Sequence, residues 1–210
     1  WARGSYSYLA VGSTPADRDT LRADVDDRLF FAGEATSSSY PATAHGALIE
    51  GRGAADRISS AIGAAPTDPT APVSVVVIGA GISGLGAAQA LAERGYQVIV
   101  VEARDRLGGR IHTATIGSQP VDLGASWIHG VDGNPLVDLA EQVGAERVPT
   151  DYDSIVVRDV DGASISDDAL EQAFDRLVEA ITDEAPSIEQ ALDRRSGALS
   201  DADRTLLRYV

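Results

Sequence analysis

Gly79, Gly81 and Gly84 in "VVVIGAGISGLGAAQAL" form the pattern G-x-G-x-x-G, and Glu102 follows 18 residues after the last of them. These residue types hold a phosphate ester rather than break a bond. The first glycine permits a tight turn, the second lets backbone approach a pyrophosphate, and the third allows close packing of helix on strand. A carboxylate at the position of Glu102 can accept hydrogen bonds from ribose hydroxyls, and its charge would repel a 2′-phosphate. A second glycine pair with flanking arginines lies just beyond, in "EARDRLGGR", Glu102 to Arg110. It gives another close backbone approach plus guanidinium charge, which favours FAD over NAD as the dinucleotide.

Such a turn works only where a strand hands over to a helix. "VSVVVIG" reads as a buried parallel strand, being a β-branched run that ends in glycine. A helix from about Ile82 to Arg94 is expected to place Ile82, Leu85, Ala88 and Leu91 on one face, with Gly95 as its stop. "QVIVVEA" reads as a second buried strand. Together they make a β-α-β unit of about 30 residues with a right-handed crossover. The helix N-terminus then presents unpaired N–H groups and a partial positive charge to the phosphates.

Ahead of this unit, "RLFFAG" reads as a short strand, and an Ala/Gly-rich helix runs from about Ala42 to Ile62. "AAPTDPTAP", 64–72, has three prolines in nine residues and reads as an extended linker. After the unit come turns and short strands, then "NPLVDLAEQVG" as a helix with Asn134 as N-cap and Pro135 in its first turn. "SIVVRD" reads as a strand. From Asp167 onward the pattern is helical and acidic, and its acids read as a solvated helix face.

Composition narrows the chemistry. The 210 residues carry a net charge of −15, which disfavours nucleic acid and anionic membranes and attracts cationic ligands such as amines. There is no cysteine, so disulfides, thiolate metal sites and a thiol nucleophile are excluded, and no metal site is expected. All 17 basic residues are arginine, so no lysine base or Schiff base can come from this sequence. No apolar run approaches the roughly 20 residues of a membrane span, and the N-terminus lacks the plan of a secretory signal. A cytoplasmic location is the expectation.

"VIGAGISGLGAAQALAERGYQVIVVEARDRLGGRIHT" resembles the N-terminal FAD segment of the FAD-dependent amine oxidase family: polyamine oxidases, monoamine oxidases and flavin-dependent histone demethylases. "VDLGASWIHGVDGNPLVDLAEQVG" resembles the stretch that follows it. "WARGSYSYLAVGS" with "RLFFAGEATSSSYPATAHGALIEGRGAADRI" resembles that family's C-terminal segment, here placed first. The order fits a circular permutation, a junction between tandem oxidase copies, or a piece of a larger protein. The resemblance implies an α/β, Rossmann-like FAD-binding domain, with a mostly parallel sheet and flanking helices, plus part of a helical substrate domain. Residues 1–63 and 73–150 would form one FAD domain, and 151–210 the substrate-domain portion.

Cofactor contacts follow by the same resemblance. Gly33 and Glu34 in "AGE" would meet the ribityl or pyrophosphate region. The helix start at Ala42, Thr43 and Ala44 would face the flavin pyrimidine edge, its dipole favouring anionic reduced flavin. Ile78, Gly79, Gly81, Ser83 and Gly84 would hold the pyrophosphate, with Glu102, Ala103 and Arg104 at the adenosine end and Gly109 and Arg110 nearer the flavin. Gly124, Ala125, Ser126 and Trp127 would run beside the isoalloxazine, and Trp1 would lie near it. Ser5 stands where monoamine oxidases carry the cysteine bonded to flavin, so FAD here would be non-covalent. Tyr6 would form one aromatic wall of the substrate site, with Thr43 opposite and His129 lining the amine channel. His45 and His112 read as structural.

The implied reaction oxidises a C–N bond of an amine, polyamine preferred, with O2 as acceptor, giving imine or aldehyde and H2O2. Relatives carry a lysine that holds a water at the flavin, and this chain has none. Three readings follow: an amine oxidase whose remaining segment or partner copy lies outside these residues, an FAD-binding module without turnover, or an amino-acid oxidase of the same fold.

Overall fold

The computed structural model describes residues 4–63, 73–151, 156–158 and 161–180. Two compact units are present, Trp1–Glu146 and Arg147–Val210. The linker reading at 64–72 and Trp1 lie outside the described residues, as does half of "SIVVRD".

The first unit opens with α1, Ala16–Arg22, and a 3-10 turn, Glu34–Thr36. Helix α2 spans Ala44–Ile62. Strand β1, Ser74–Ile78, leads into helix α3, Ile82–Glu93, and strand β2, Gln97–Val101. β1 and β2 pair in parallel, Ser74 opposite Gln97 and Ile78 opposite Val101, which is the expected β-α-β unit. Strands β3, Thr113–Ile116, and β4, Gln119–Asp122, form an antiparallel hairpin. Helix α4, Pro135–Gln142, closes the unit, and Asn134 caps it by accepting a hydrogen bond from Leu136 N–H. The second unit contains a short antiparallel pair, β5, Val157–Arg158, with β6, Ser164–Ile165, and helix α5, Asp167–Ala180.

The core joins parts of the chain that are far apart in sequence. Ala55 and Ile58 of α2, Leu91 of α3 and Tyr96 are buried together, with Phe30, Val73, Val75, Val77, Ala90 and Val98 packed around them. Helices α2 and α3 meet through small residues. A methyl added at Gly51 would stand 2.0 Å from the Ser83 carbonyl oxygen, and one at Gly86 would stand 2.7 Å from a Leu48 methyl. This contact corrects the face expected for α3. The buried residues are Gly86, Ala87 and Leu91, whereas Leu85 is exposed, because the neighbour on this side is a helix at contact distance and only small side chains fit beneath it.

Three other expectations need correction. "RLFFAG" is not a strand: Val25 and Leu29 bridge across Asp26 and Asp27, both at positive φ, and Phe31 C=O accepts from Arg57 Nη2 instead of joining a ladder. The sheet expected to be mostly parallel is, among the described residues of the first unit, one parallel pair and one antiparallel hairpin. β1 and β2 are also not fully buried. Their inner residues Val75, Val77 and Val98 pack on the helices, while Val76, Ile78, Ile99 and Val101 on the other face are exposed, Ile78 by 87%. A β-branched run reports the capacity to be covered on both faces, not the presence of the cover.

Candidate cofactor site

The two glycine turns are joined through their backbones. Gly79 takes φ 105°, and its N–H donates to Val101 C=O at 2.7 Å, which ends the β1–β2 ladder. Gly81 and Gly108 then form a parallel bridge, and Gly108 N–H donates to Ala80 C=O at 2.8 Å. A methyl on Gly109 would lie 3.2 Å from Gly81 Cα, and one on Gly84 would lie 2.0 Å from the Gly79 carbonyl oxygen. The first turn is closed to a side chain at Gly84, and the approach of the second turn at Gly109 is tight. By contrast, a methyl at Gly79 or Gly33 would meet nothing within 4 Å, so these backbones border open space.

Glu102 sits at the end of β2 and ties this corner together. Its Oε2 accepts from Ala80 N–H at 2.8 Å and its Oε1 from Arg104 N–H at 2.9 Å. The Ala80 bond, then the Arg104 bond, hold its carboxyl below the ordinary glutamate range and keep it ionised. Ala103 N–H is a third backbone donor, which leaves one acceptor position for a hydroxyl. Arg104 Nη1 and Arg106 Nη2 both donate to Gly109 C=O, bracing the second turn.

Glu34 is 5% exposed and takes four donors. Oε1 accepts from Ser7 N–H at 3.1 Å and Arg110 Nη1 at 2.7 Å, while Oε2 accepts from Ser7 Oγ at 2.6 Å and Ala42 N–H at 2.9 Å. Burial pushes the carboxyl up, but the Ser7 and Arg110 hydrogen bonds, the Arg110 charge and the Ala42 N–H outweigh it, so the group stays below the ordinary range. Ala42 itself has φ 63°, a conformation costing about 1–2 kcal/mol for an L-residue. A charge-assisted bond from its N–H, worth about 1.5–3 kcal/mol, offsets that cost and sets the chain's entry into α2. Thr43 caps α2: its Oγ1 accepts from Gly46 N–H and donates to Tyr40 C=O, so the hydroxyl is committed to the helix.

Arg110 also donates to Ser5 C=O at 2.8 Å, so Ser5, Glu34 and Arg110 stand together, with Ala42 beside them. Tyr6 and Trp127 expose large aromatic surfaces, and Gly124, with Ala125 and Ser126 after it, runs so close to Arg110 C=O that a methyl would overlap it at 1.9 Å. Ala44 is the first residue of α2 and Ala103 is exposed after Glu102. His45 is buried edge-to-face on Tyr40, with ring centroids 4.8 Å apart. Burial, and then the charge of His129, push its imidazole below the ordinary value of 6.5. The sequence reading missed Ser7 and Arg18, which complete the Glu34 network; a polar helix turn gives no local sign that one arginine points inward.

FAD fits these residues. Ser83 Oγ is buried without a hydrogen-bond partner, an orphan that a phosphate oxygen would satisfy, and Gly81 begins α3 without a side-chain cap, leaving first-turn N–H groups for an anion. A separate cavity of about 550 Å3 is lined by Asp24, Asp27, Phe30, Asp56, Arg57, Ser60 and Ala61, none of them expected at the cofactor. Among the described residues no His, Asp and Glu group could hold a metal, and no helix is long and apolar enough to cross a membrane.

The family model for flavin containing amine oxidoreductases matches residues 1–59 and 82–208. The chain belongs to that family. Its cofactor is FAD. A second model, for pyridine nucleotide-disulphide oxidoreductases, matches residues 35–120. The chain is 51% identical over 89 residues to probable polyamine oxidase 4 of Arabidopsis thaliana, covering 42% of this chain and 18% of that protein. It is 45% identical over 109 residues to possible lysine-specific histone demethylase 1 of Drosophila melanogaster, covering 50% and 12%. Lysine-specific histone demethylase 1 homolog 2 of Oryza sativa subsp. japonica is 34% identical over 176 residues, covering 80% of this chain and 23% of that protein. A putrescine oxidase solved with putrescine bound is 30% identical over 52% of this chain and 26% of its own, with a TM-score of 0.34, too low to inform the fold. The chain thus spans about a quarter or less of these relatives.

Proposed function

We propose that this chain carries the FAD-binding portion of an amine oxidase that oxidises a C–N bond of an amine, polyamine by preference, with O2 as acceptor. The observation that carries the reading is the joined pair of glycine turns with Glu102 at their corner, clasped through Arg110 and Glu34 to the segment that precedes α2. It supports a single cofactor site built from both stretches, whatever order the chain strings them in. The polyamine preference rests on the named relatives.

Bound FAD would supply the two-electron acceptor, with dioxygen as the final acceptor. The chain's own residues bind and orient. Gly81, Ser83 and the first turn of α3 hold the pyrophosphate. Glu102 receives the ribose hydroxyls, and its ionised state at neutral pH suits that role. Glu34 has no free acceptor site for the ribityl chain, so it shapes the site by fixing Arg110 and Ala42. Tyr6 offers an exposed ring to a cationic or neutral amine approaching the flavin, and His129 lines the channel on the other side.

A second reading, an FAD-binding module without turnover, is favoured by one observation: the 210 residues contain no lysine. The purified chain is expected to be yellow and to release FAD on acid or heat treatment. Peroxide release on addition of spermine, spermidine or putrescine supports the oxidase; a yellow protein inert to all three supports the module.

A further inference from the structure

We propose that Arg18 is a positioning residue of the flavin site, acting through the Ser7 hydroxyl on the Glu34 carboxylate. Arg18 is the one buried residue of α1, 7% exposed on a helix whose other residues face outward or are partly covered. A guanidinium in that position needs hydrogen-bonded company, and among the described residues no carboxylate forms an ion pair with it. Its Nη1 donates to Ser7 Oγ at 2.8 Å and to Ala35 C=O at 3.1 Å.

The direction of each bond is fixed by chemistry. Arginine can only donate, so Ser7 Oγ accepts from Arg18 and must use its single proton on Glu34 Oε2, 2.6 Å away. Glu34 is thereby filled: two donors from Ser7, one from Ala42 and one from Arg110. Arg18 therefore orients a carboxylate it does not touch, and that carboxylate fixes the Ser5–Ser7 stretch, the strained Ala42 before α2 and the arginine of the second glycine turn. Sequence separation hides this chain, since Ser7, Arg18, Glu34 and Arg110 are spread over 104 positions.

The inference rests on reading this unit as an FAD site, and its test separates the two. FAD is titrated into the cofactor-free full chain by flavin fluorescence quenching, and amide exchange of Ala42 is followed without cofactor. Arg18→Met is expected to raise the Kd for FAD about tenfold and to speed Ala42 exchange about tenfold, whereas Arg18→Lys, which restores a donor to Ser7, stays within about threefold of wild type. A purely structural role for Arg18 would lower the melting temperature of both variants and leave Kd and Ala42 exchange unchanged, and that result overturns the proposal. Should Arg18→Met not fold, Ser7→Ala keeps Arg18 packed on Ala35 and is expected to show the same two losses. Wild-type values for both readouts in Ser7→Ala would equally overturn it. If wild type takes up no FAD, the flavin reading fails by itself, and Ala42 exchange still decides for or against Arg18.

Discussion

The two glutamates of the site, Glu34 and Glu102, occupy opposite kinds of surroundings. Glu34 is buried and takes its donors from Ser7, Ala42 and Arg110, three separate stretches of chain. Glu102 is partly buried at the corner and takes backbone N–H groups from both glycine turns, Ala80 from one and Arg104 and Ala103 from the other. Both are held ionised, but for different ends. The first carboxylate is consumed in assembling the site, and the second is positioned by its neighbours while keeping one acceptor position for a ligand. A carboxylate near a cofactor is thus not by itself a cofactor ligand; the count of its protein donors decides.

The sharpest way to break this comparison is to remove each carboxylate. Glu34→Ala leaves Arg110 and the Ser7 and Ala42 N–H groups without their acceptor, so stability measured by urea denaturation should fall by about 2–3 kcal/mol and FAD retention should be lost with it. Glu102→Gln turns an amide donor against the Ala80 or Arg104 N–H, so its denaturation midpoint should fall by less than that of Glu34→Ala, and the Kd for FAD should rise roughly tenfold. If the two variants behave alike, the distinction is wrong.

Acid sharpens the same contrast. The folded carboxyl of Glu34 lies below its ordinary value of 4.5, so the stability it contributes is fully present above that pH and is lost as pH falls through the lower folded value. His45 acts earlier. Its folded imidazole lies below 6.5, so the unfolded chain takes up the proton first, and stability should decline as pH drops from 6.5 until His45 itself is protonated. His45→Phe should flatten the upper part of that decline and leave the lower part, which a pH series of thermal melts would resolve. The smallest expected effect is at Ala42, where glycine adopts φ 63° freely; Ala42→Gly should raise stability by under about 1 kcal/mol with Glu34 intact.

Local chemistry was legible in the sequence where a short pattern dictates geometry. The G-x-G-x-x-G turn and the Asn134 cap are set by residues within one or two turns of each other, and Glu102 by the fixed length of the β-α-β unit that carries it. Elements that depend on a distant neighbour were not. "RLFFAG" has strand-forming side chains but finds Arg57 and a tight Asp26–Asp27 turn rather than a ladder. β1 and β2 have the side chains of buried strands, yet one face meets helices and the other is bare. Arg18 sits in "ADRDTLR", a polar turn in which no periodicity marks the arginine as buried.

The central claim is that two noncontiguous stretches, 4–63 and 73–146, close on a single flavin. The most direct measurement is the stoichiometry of FAD binding by isothermal titration to the wild-type chain, Gly84→Ala and Glu34→Ala. The account predicts one FAD per wild-type chain, with binding lost both when a methyl is forced against the Gly79 carbonyl and when the clasp from the other stretch is removed. One FAD bound with unchanged affinity in the Glu34→Ala chain would contradict it, because the glycine turns would then suffice alone.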